Sequence, residues 1–528
     1  MNKLLSSLLL LCSMLAPLTA TAQDHLSALI PMPNHIEQPK GKPFCITECT
    51  TVHCPHDSLH HIAEAITHSI KRHTGIAVNI STEKERGAIV LQIDPTIQGN
   101  EHYRLVVSGK GITLSGSTAA ALYRGTTTLS QLLLGDVCAT SHGEVQPIVI
   151  DDQPRFPHRA LMLDPARHFL PVEDVEFFID QMAKYKYNVL QLHLTDDQGW
   201  RVAIHSHPRL SSHQHYTQDD LRRIITYAAK RHIEIIPEVD IPGHTVAILA
   251  AYPELSCAHL LTDTVTVGTT TNRMVCAANA KSYTILSDVI TELAALFPSS
   301  YIHLGGDEAA VPVNWAQCPH CQELMRKHNY TKATQLMTPF FNRILATVRQ
   351  CGKRAILWCE LDNIYPPAND YLFPYPEDVT LVTWRYGLTP TCQTLTHKHG
   401  HQLIMAPGEY AYLDYPQWSN DLPEYNNWGM PITSLETSYR LDPSYGKPLE
   451  EAGNVMGVMA TMWAEAIKDI NRVNYMFFPR GLAIAEAGWS CMEQRSWDSF
   501  KQRIYPNLDD LMRCGVSFRV PFESAPRK

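Results

Sequence analysis

What this sequence lacks narrows its function before any motif is read. No basic run stands out among its 44 lysines and arginines, and the formal net charge is -9, so nothing supports a nucleic-acid partner. Past the N-terminal segment, no apolar stretch approaches the roughly 20 residues that a membrane-spanning helix needs. No glycine-rich phosphate loop follows a strand-like segment, which argues against a nucleotide-binding, doubly wound sheet. The chain has 26 histidines, yet they do not cluster at strand ends, and this discourages a metal-dependent hydrolase. Neither a cofactor nor a catalytic metal is expected.

What is present is ordinary in bulk and distinctive in pattern. The 528 residues, 45% hydrophobic and 18% charged, suit a globular protein of two or more domains. The opening "MNKLLSSLLLLCSMLAPLTATAQ" has a lysine, a short apolar run and then Ala20-Thr21-Ala22. It reads as a signal peptide over 1–22, so export to the periplasm, the cell surface or the medium is expected. Of 14 cysteines, one lies in that leader, and the odd remainder implies at least one free thiol. "CPHC" at Cys318–Cys321 is half of a zinc-ligand pattern, but no second pair at ligand spacing lies near it in sequence. A local disulfide or structural thiols are expected there, and Cys257 and Cys276 bracket a threonine-rich loop that they can close.

Residues 23–153 read as a small α/β supporting domain. "LHHIAEAITHSIKRHTG" and "STAAALYRGTTTLSQLLL" have helical spacing, while "GAIVLQID" and "YRLVVSGKGITLSG" alternate as strands. Beyond it, from 154 to 528, short apolar strands alternate with amphipathic runs. Eight strands begin near Ala160, Val189, Ile233, Tyr301, Ala355, Thr380, Gln402 and Gly457. This α/β pattern predicts a (β/α)8 TIM barrel as the catalytic domain.

Such barrels place their chemistry at the C-terminal ends of the strands. Those positions hold Asp164, Asp196, Asp197, Glu238, Asp240, Asp307, Glu308, Trp358, Glu360, Trp384, Trp463 and Glu465. Acids accept hydrogen bonds from sugar hydroxyls, and indole faces pack on the C–H faces of sugar rings. Glycosidic cleavage also needs one protonated acid and negative charge near an oxocarbenium-like transition state. Asp307 and Glu308, set after two glycines in "YIHLGGDEAA", can divide these roles if crowding separates their pKa values.

"HLGGDE" at His303–Glu308 resembles the signature of glycoside hydrolase family 20, the β-N-acetylhexosaminidases. The resemblance extends through "RALMLDPARHF", "LHLTDDQGWR", "IPEVDIPGHT", "ILWCE", "YLDYPQ" and "MWAEAI", in family order over about 350 residues. It implies a retaining mechanism in which the substrate's own 2-acetamido oxygen is the nucleophile and an oxazolinium intermediate forms. It also implies roles. Glu308 would be the general acid and then the base, Asp307 would hold the acetamido N–H, and Tyr412 would donate to the acetamido oxygen. Arg159, Asp414 and Glu465 would bind ring hydroxyls, with a plain salt bridge as the alternative for Arg159. Trp358, Trp384, Trp428 and Trp463 would wall the pocket, and Asp197, Asp240 and His244 would support Glu308 from behind.

The implied partners are glycans ending in N-acetylhexosamine, or chitooligosaccharides. An enzyme releasing a disaccharide (lacto-N-biosidase-like) or a sulfated sugar, and a non-catalytic glycan-binding protein, are the competing readings.

Overall fold

A computed structural model describes residues 26–135, 143–362, 368–421, 429–447, 452 and 454–522. The leader 1–22 and Trp428 lie outside the described residues. Among those described, no helix is long and apolar enough to cross a membrane.

The small N-terminal unit is built on a seven-stranded mixed sheet. Its central hairpin, Tyr103–Ser108 with Gly111–Gly116, is the one the alternation predicts. The helices His60–Thr74 and Ala119–Gly135 pack on the sheet side by side. In the first, Ile62, Ala63, Ile66 and Ile70 recur at helical spacing and are buried. That helix stops at Gly75, whose left-handed backbone (φ +78) closes the last turn.

Eight parallel strands then form a closed barrel: His158–Leu163, Val189–His193, Glu234–Glu238, Tyr301–His303, Arg354–Trp358, Thr380–Thr383, Gln402–Met405 and Asn454–Met462. They are the eight the sequence predicts, and the first pairs with the last, Ala160 opposite Met459. Alternation sorts each strand into an inward and an outward set. Ala160 and Met162 point into the barrel with Val189, Ile236, Ile356, Val382 and Ile404. Leu161 and Leu163 pack outward against the helices.

The two units meet across a buried polar seam. Asp152, at the end of a strand of the small sheet, accepts hydrogen bonds from Tyr103 Oη (2.6 Å), Lys186 Nζ (3.1 Å) and Trp489 Nε1 (2.9 Å). Trp489, from the barrel helix Arg480–Trp489, is inserted into the small unit's core. Near the C-terminus, helix Trp497–Arg513 sends Arg503 to Glu486 (2.7 Å) and to the carbonyl of Leu29 (2.5 Å).

Of the two alternatives expected for the cysteines, structural thiols are what the described residues contain. All twelve in the described residues are free thiols. Neither Cys318–Cys321 nor Cys257–Cys276 closes on itself. Instead these four meet in one buried cluster, because the loops after the third and fourth strands fold against each other.

Candidate active site

The centre of the site is the turn after the fourth strand. Gly305 and Gly306 have positive φ (+66 and +96), which glycine alone adopts without strain. The Gly306 amide donates to Asp240 Oδ1 at 3.1 Å. The chain then runs into Glu308, itself left-handed at φ +46. Such a backbone costs energy for a non-glycine residue and must be held by its surroundings. Here the Glu308 amide donates to Glu360 Oε1 at 3.3 Å, and Arg385 Nη2 anchors the same carboxylate at 3.0 Å.

The reversed turn directs both acids towards His244. Its Nε2 stands 3.7 Å from Asp307 Oδ2 and 3.7 Å from Glu308 Oε2. Their surroundings differ sharply. The Asp307 side chain is 9% exposed and that of Glu308 53%. Burial raises the Glu308 pKa, the Asp307 charge raises it further, and His244, Arg385 and Arg167 oppose the rise. Asp240 is fully buried and lies beside Asp307. Burial first, then the charges of Asp307, Glu238 and Asp196, hold its carboxyl well above the usual range. Asp240 therefore holds its proton more tightly than an ordinary aspartate does.

Behind this pair runs a chain of ionised groups rooted in the barrel interior. Glu238 accepts from Gln191 Nε2 (2.8 Å) and Trp358 Nε1 (3.0 Å), and lies 2.9 Å from His193 Nδ1. His193 Nε2 reaches Asp196 Oδ2 at 2.8 Å, and Asp196 Oδ1 reaches His244 Nδ1 at 3.2 Å. Burial works against the charged imidazole of His193, but Glu238 and Asp196 outweigh it and lift it to about 10. For His244 burial is likewise outweighed, by Asp196 and Asp307, again giving about 10.

Most of the residues singled out in the sequence come together here. Trp463 packs edge-on against His193 (5.0 Å between centroids) and lies 5.7 Å from Trp358 and 6.5 Å from Tyr412. Trp384 is half-buried and bridges the barrel interior to the cluster of Tyr412, Tyr415 and Met430. Trp358 is a buried floor residue whose indole is committed to Glu238. Burial keeps the Tyr412 hydroxyl protonated far above its ordinary pKa. Asp414 is buried, and burial, with Glu465 next, raises its carboxyl well above the usual range. Glu465 is half-exposed. Asp197 stands one step back: its Oδ1 accepts from the Val246 amide (3.1 Å), while Asp196 makes the contact to His244.

Arg159 is not in the site. It lies at the start of the first strand, in the outward set, and is buried at the seam between the units. There it donates to Glu101 Oε1 (2.7 Å) and to the carbonyls of Lys186 and Phe156 (both 2.9 Å). The arginine at the site is Arg167, past the C-terminal end of that strand. It contacts Asp196 Oδ2 (2.8 Å), Asp164 Oδ2 (3.2 Å) and Glu465 Oε1 (3.8 Å), and its guanidinium covers the Trp463 ring at 5.0 Å. Position along the strand was the available signal, since only the trailing end reaches the chemistry. Sequence reasoning also passed over His193, and over Arg480, which donates to the carbonyls of Leu413 (2.6 Å) and Tyr415 (2.9 Å) and so fixes the loop carrying Tyr412 and Asp414.

A closed parallel barrel with paired acids, a fixed arginine and indole walls at its C-terminal mouth defines a glycoside hydrolase. The glycosyl hydrolase family 20 catalytic-domain model matches residues 156–492, and the family 20 domain 2 model matches 26–153. The chain belongs to glycosyl hydrolase family 20. It is 39% identical over 438 residues to a beta-hexosaminidase of Akkermansia muciniphila, covering 79% of this chain and 85% of that one. Its fold is similar to the GH20 beta-N-acetylhexosaminidase from Streptomyces coelicolor A3(2), with TM-score 0.79, 31% identity, and 94% and 98% of the two chains covered. It also resembles the GH20 exo beta-N-acetylglucosaminidase from Vibrio harveyi in complex with N-acetylglucosamine, with TM-score 0.80, 28% identity, and 94% and 78% covered.

Proposed function

We propose that this enzyme is an exo-acting β-N-acetylhexosaminidase that removes terminal GlcNAc or GalNAc with retention, using the substrate's acetamido oxygen as nucleophile. The observation that carries this reading is the contrast between two adjacent acids that share His244. Glu308 is reachable and has a raised pKa, so it is suited to protonate the leaving oxygen and later to take a proton from water. Asp307 is buried beside Asp240, whose carboxyl holds its proton more tightly than usual. It is suited to accept the acetamido N–H and to offset the positive charge that grows there as the oxazolinium ring closes. Tyr412, a hydroxyl that keeps its proton, donates to the acetamido oxygen and orients it for attack. Trp384 and Trp463 exclude water around the acetamido methyl, while Arg167, Asp414 and Glu465 face the ring hydroxyls.

The printed names of the relatives support the sugar class. Export on the N-terminal leader is part of the same proposal and places the enzyme where N-acetylhexosamine-terminated glycans or chitooligosaccharides are met.

The test is release of a chromogenic aglycone from β-GlcNAc, β-GalNAc and β-glucose conjugates, with Glu308→Gln as control. Cleavage of an acetamido sugar but not of glucose, lost in the control, is expected. Glucose cleavage at a similar rate would sink the mechanism, because glucose carries no internal nucleophile.

A further inference from the structure

We propose that Cys257, Cys276, Cys318 and Cys321 form a structural zinc site that locks the loop after the third barrel strand to the loop carrying Asp307 and Glu308. The proposal is independent of the substrate reading, since it rests only on how two loops are joined.

The geometry points to a metal more than to disulfides. All four side chains are buried, each at 2% exposure or less, and their sulfurs lie within 4.8 Å of one another. Cys276 Sγ is 3.5 Å from Cys321 Sγ and 3.9 Å from Cys318 Sγ. A tetrahedral ion with Zn–S bonds of about 2.3 Å sets its sulfurs about 3.8 Å apart. A disulfide needs about 2.05 Å within a pair, far shorter than either of these separations. One sulfur 3.5 and 3.9 Å from two others, with a fourth beside them, matches a coordination polyhedron rather than two bridges.

The donor set selects the ion. Four thiolates and no oxygen ligand suit Zn²⁺ or another soft metal, and exclude Ca²⁺ and Mg²⁺ as preferred occupants. Cys318 and Cys321 have the C-x-x-C spacing of a zinc knuckle. Cys318 is the N-cap and Cys321 lies in the first turn of helix Pro319–Lys327, where the helix dipole favours thiolate. Binding is redox-neutral: four thiols release four protons, and four Zn–S bonds form.

The site also has something to hold. Glu308 sits ten residues before Cys318 on a strained backbone. The two loops also share hydrogen bonds, among them Trp315 Nε1 to the Val275 carbonyl (2.9 Å), Asn314 Nδ2 to the Asn272 carbonyl (2.9 Å), the Met274 amide to Asn314 Oδ1 (3.3 Å), and His259 Nε2 with the Val313 carbonyl (3.0 Å). A metal at the cysteines clamps the far end of the acid's loop, and it protects four thiols from oxidation in an oxidising compartment.

The test uses the full-length chain, purified without chelator, reductant or added metal. Elemental analysis should find close to one zinc per chain, released when a mercurial blocks the thiols. Intact mass should show these four cysteines reduced. After exchange with Co²⁺, thiolate-to-metal charge-transfer absorption should appear. Cys318→Ser/Cys321→Ser should lose the zinc, while Cys351→Ser should keep it. If the double variant does not fold, the zinc content, mass and cobalt spectrum of the unaltered chain still decide. Peptides cross-linked through these cysteines, four free thiols without metal, iron in place of zinc, or zinc retained in a folded double variant would each overturn the proposal.

Discussion

The Asp240 carboxylate occupies the space where Gly305 would carry a side chain: a Cβ built on Gly305 lies 1.7 Å from Asp240 Oδ1. One glycine therefore does two things. It turns the backbone at φ +66, and it lets the Asp240 side chain sit under the turn that delivers Asp307 and Glu308.

Gly305→Ala should disable the enzyme without touching an acid. The left-handed backbone alone costs about 1–3 kcal/mol for a non-glycine residue, and Asp240 must also move. Displacement of Glu308 by about 1 Å is enough to cost on the order of 10²-fold in kcat. Steady-state kinetics with thermal unfolding checks this; an alanine variant with unaltered kcat would mean the turn is not what positions the acid.

The pH–rate profile should carry the sign of the Glu308 shift. Burial, followed by the Asp307 charge, raises its pKa above 4.5, so the proton is retained to higher pH than in an ordinary glutamate. The general-acid step is lost as pH rises through that raised value. In Asp307→Asn one cause of the rise is gone, and the alkaline limb of kcat/KM should move to lower pH in addition to any drop in rate. A limb that stays in place would assign it to another group.

Arg167 and Arg159 should separate cleanly. Arg167→Lys keeps the charge but loses the planar fork shared among Asp164, Asp196 and Glu465, so kcat/KM should fall by more than about tenfold with folding intact. Arg159→Met breaks a buried pair with Glu101, a class of change that costs about 3–5 kcal/mol. The surviving folded fraction should cleave substrate at the normal rate. Denaturant melts beside active-site-titrated kinetics distinguish the two; the reverse pattern would return Arg159 to the site.

Glu360 should leave a mark on stability against pH. Burial, opposed by Arg385 and reinforced by Asp307, lifts its pKa to about 7 from 4.5. The folded protein holds this proton more tightly than the unfolded chain does. Its contribution is therefore fully present below about pH 4.5 and is lost as pH climbs through 7, a fall of about 3 kcal/mol for 2.5 units. Glu360→Gln should flatten that part of the curve, read as urea midpoints at pH 5 and 7.5 for both proteins. Parallel curves would contradict the shift.

Much of this was legible in the sequence because it rests on periodicity. Eight short apolar runs with trailing acids or tryptophans recur between amphipathic helical stretches, and Asp307 and Glu308 are marked by the glycines before them. Arg167 was legible too: it follows the apolar run of "RALMLDPARHF" whereas Arg159 precedes it, and only the trailing end of a barrel strand meets the chemistry. Convergence of distant loops was not legible. Cys257 and Cys276 are 42 or more residues from Cys318, and only the packing of neighbouring βα loops brings them to "CPHC". Asp196 and Asp197 are indistinguishable on paper, and the turn decides which one reaches His244.

The seam at Asp152 bears on how this architecture can change over generations. Lys186 and Trp489 come from the barrel, Asp152 and Tyr103 from the small unit, and all four are buried. Grafting the small unit from a relative without these partners would leave a lysine or an aspartate uncompensated in the interior, which is strongly unfavourable. The two units are thus tied to one another by chemistry as well as by chain: replacing either alone strands a buried charge.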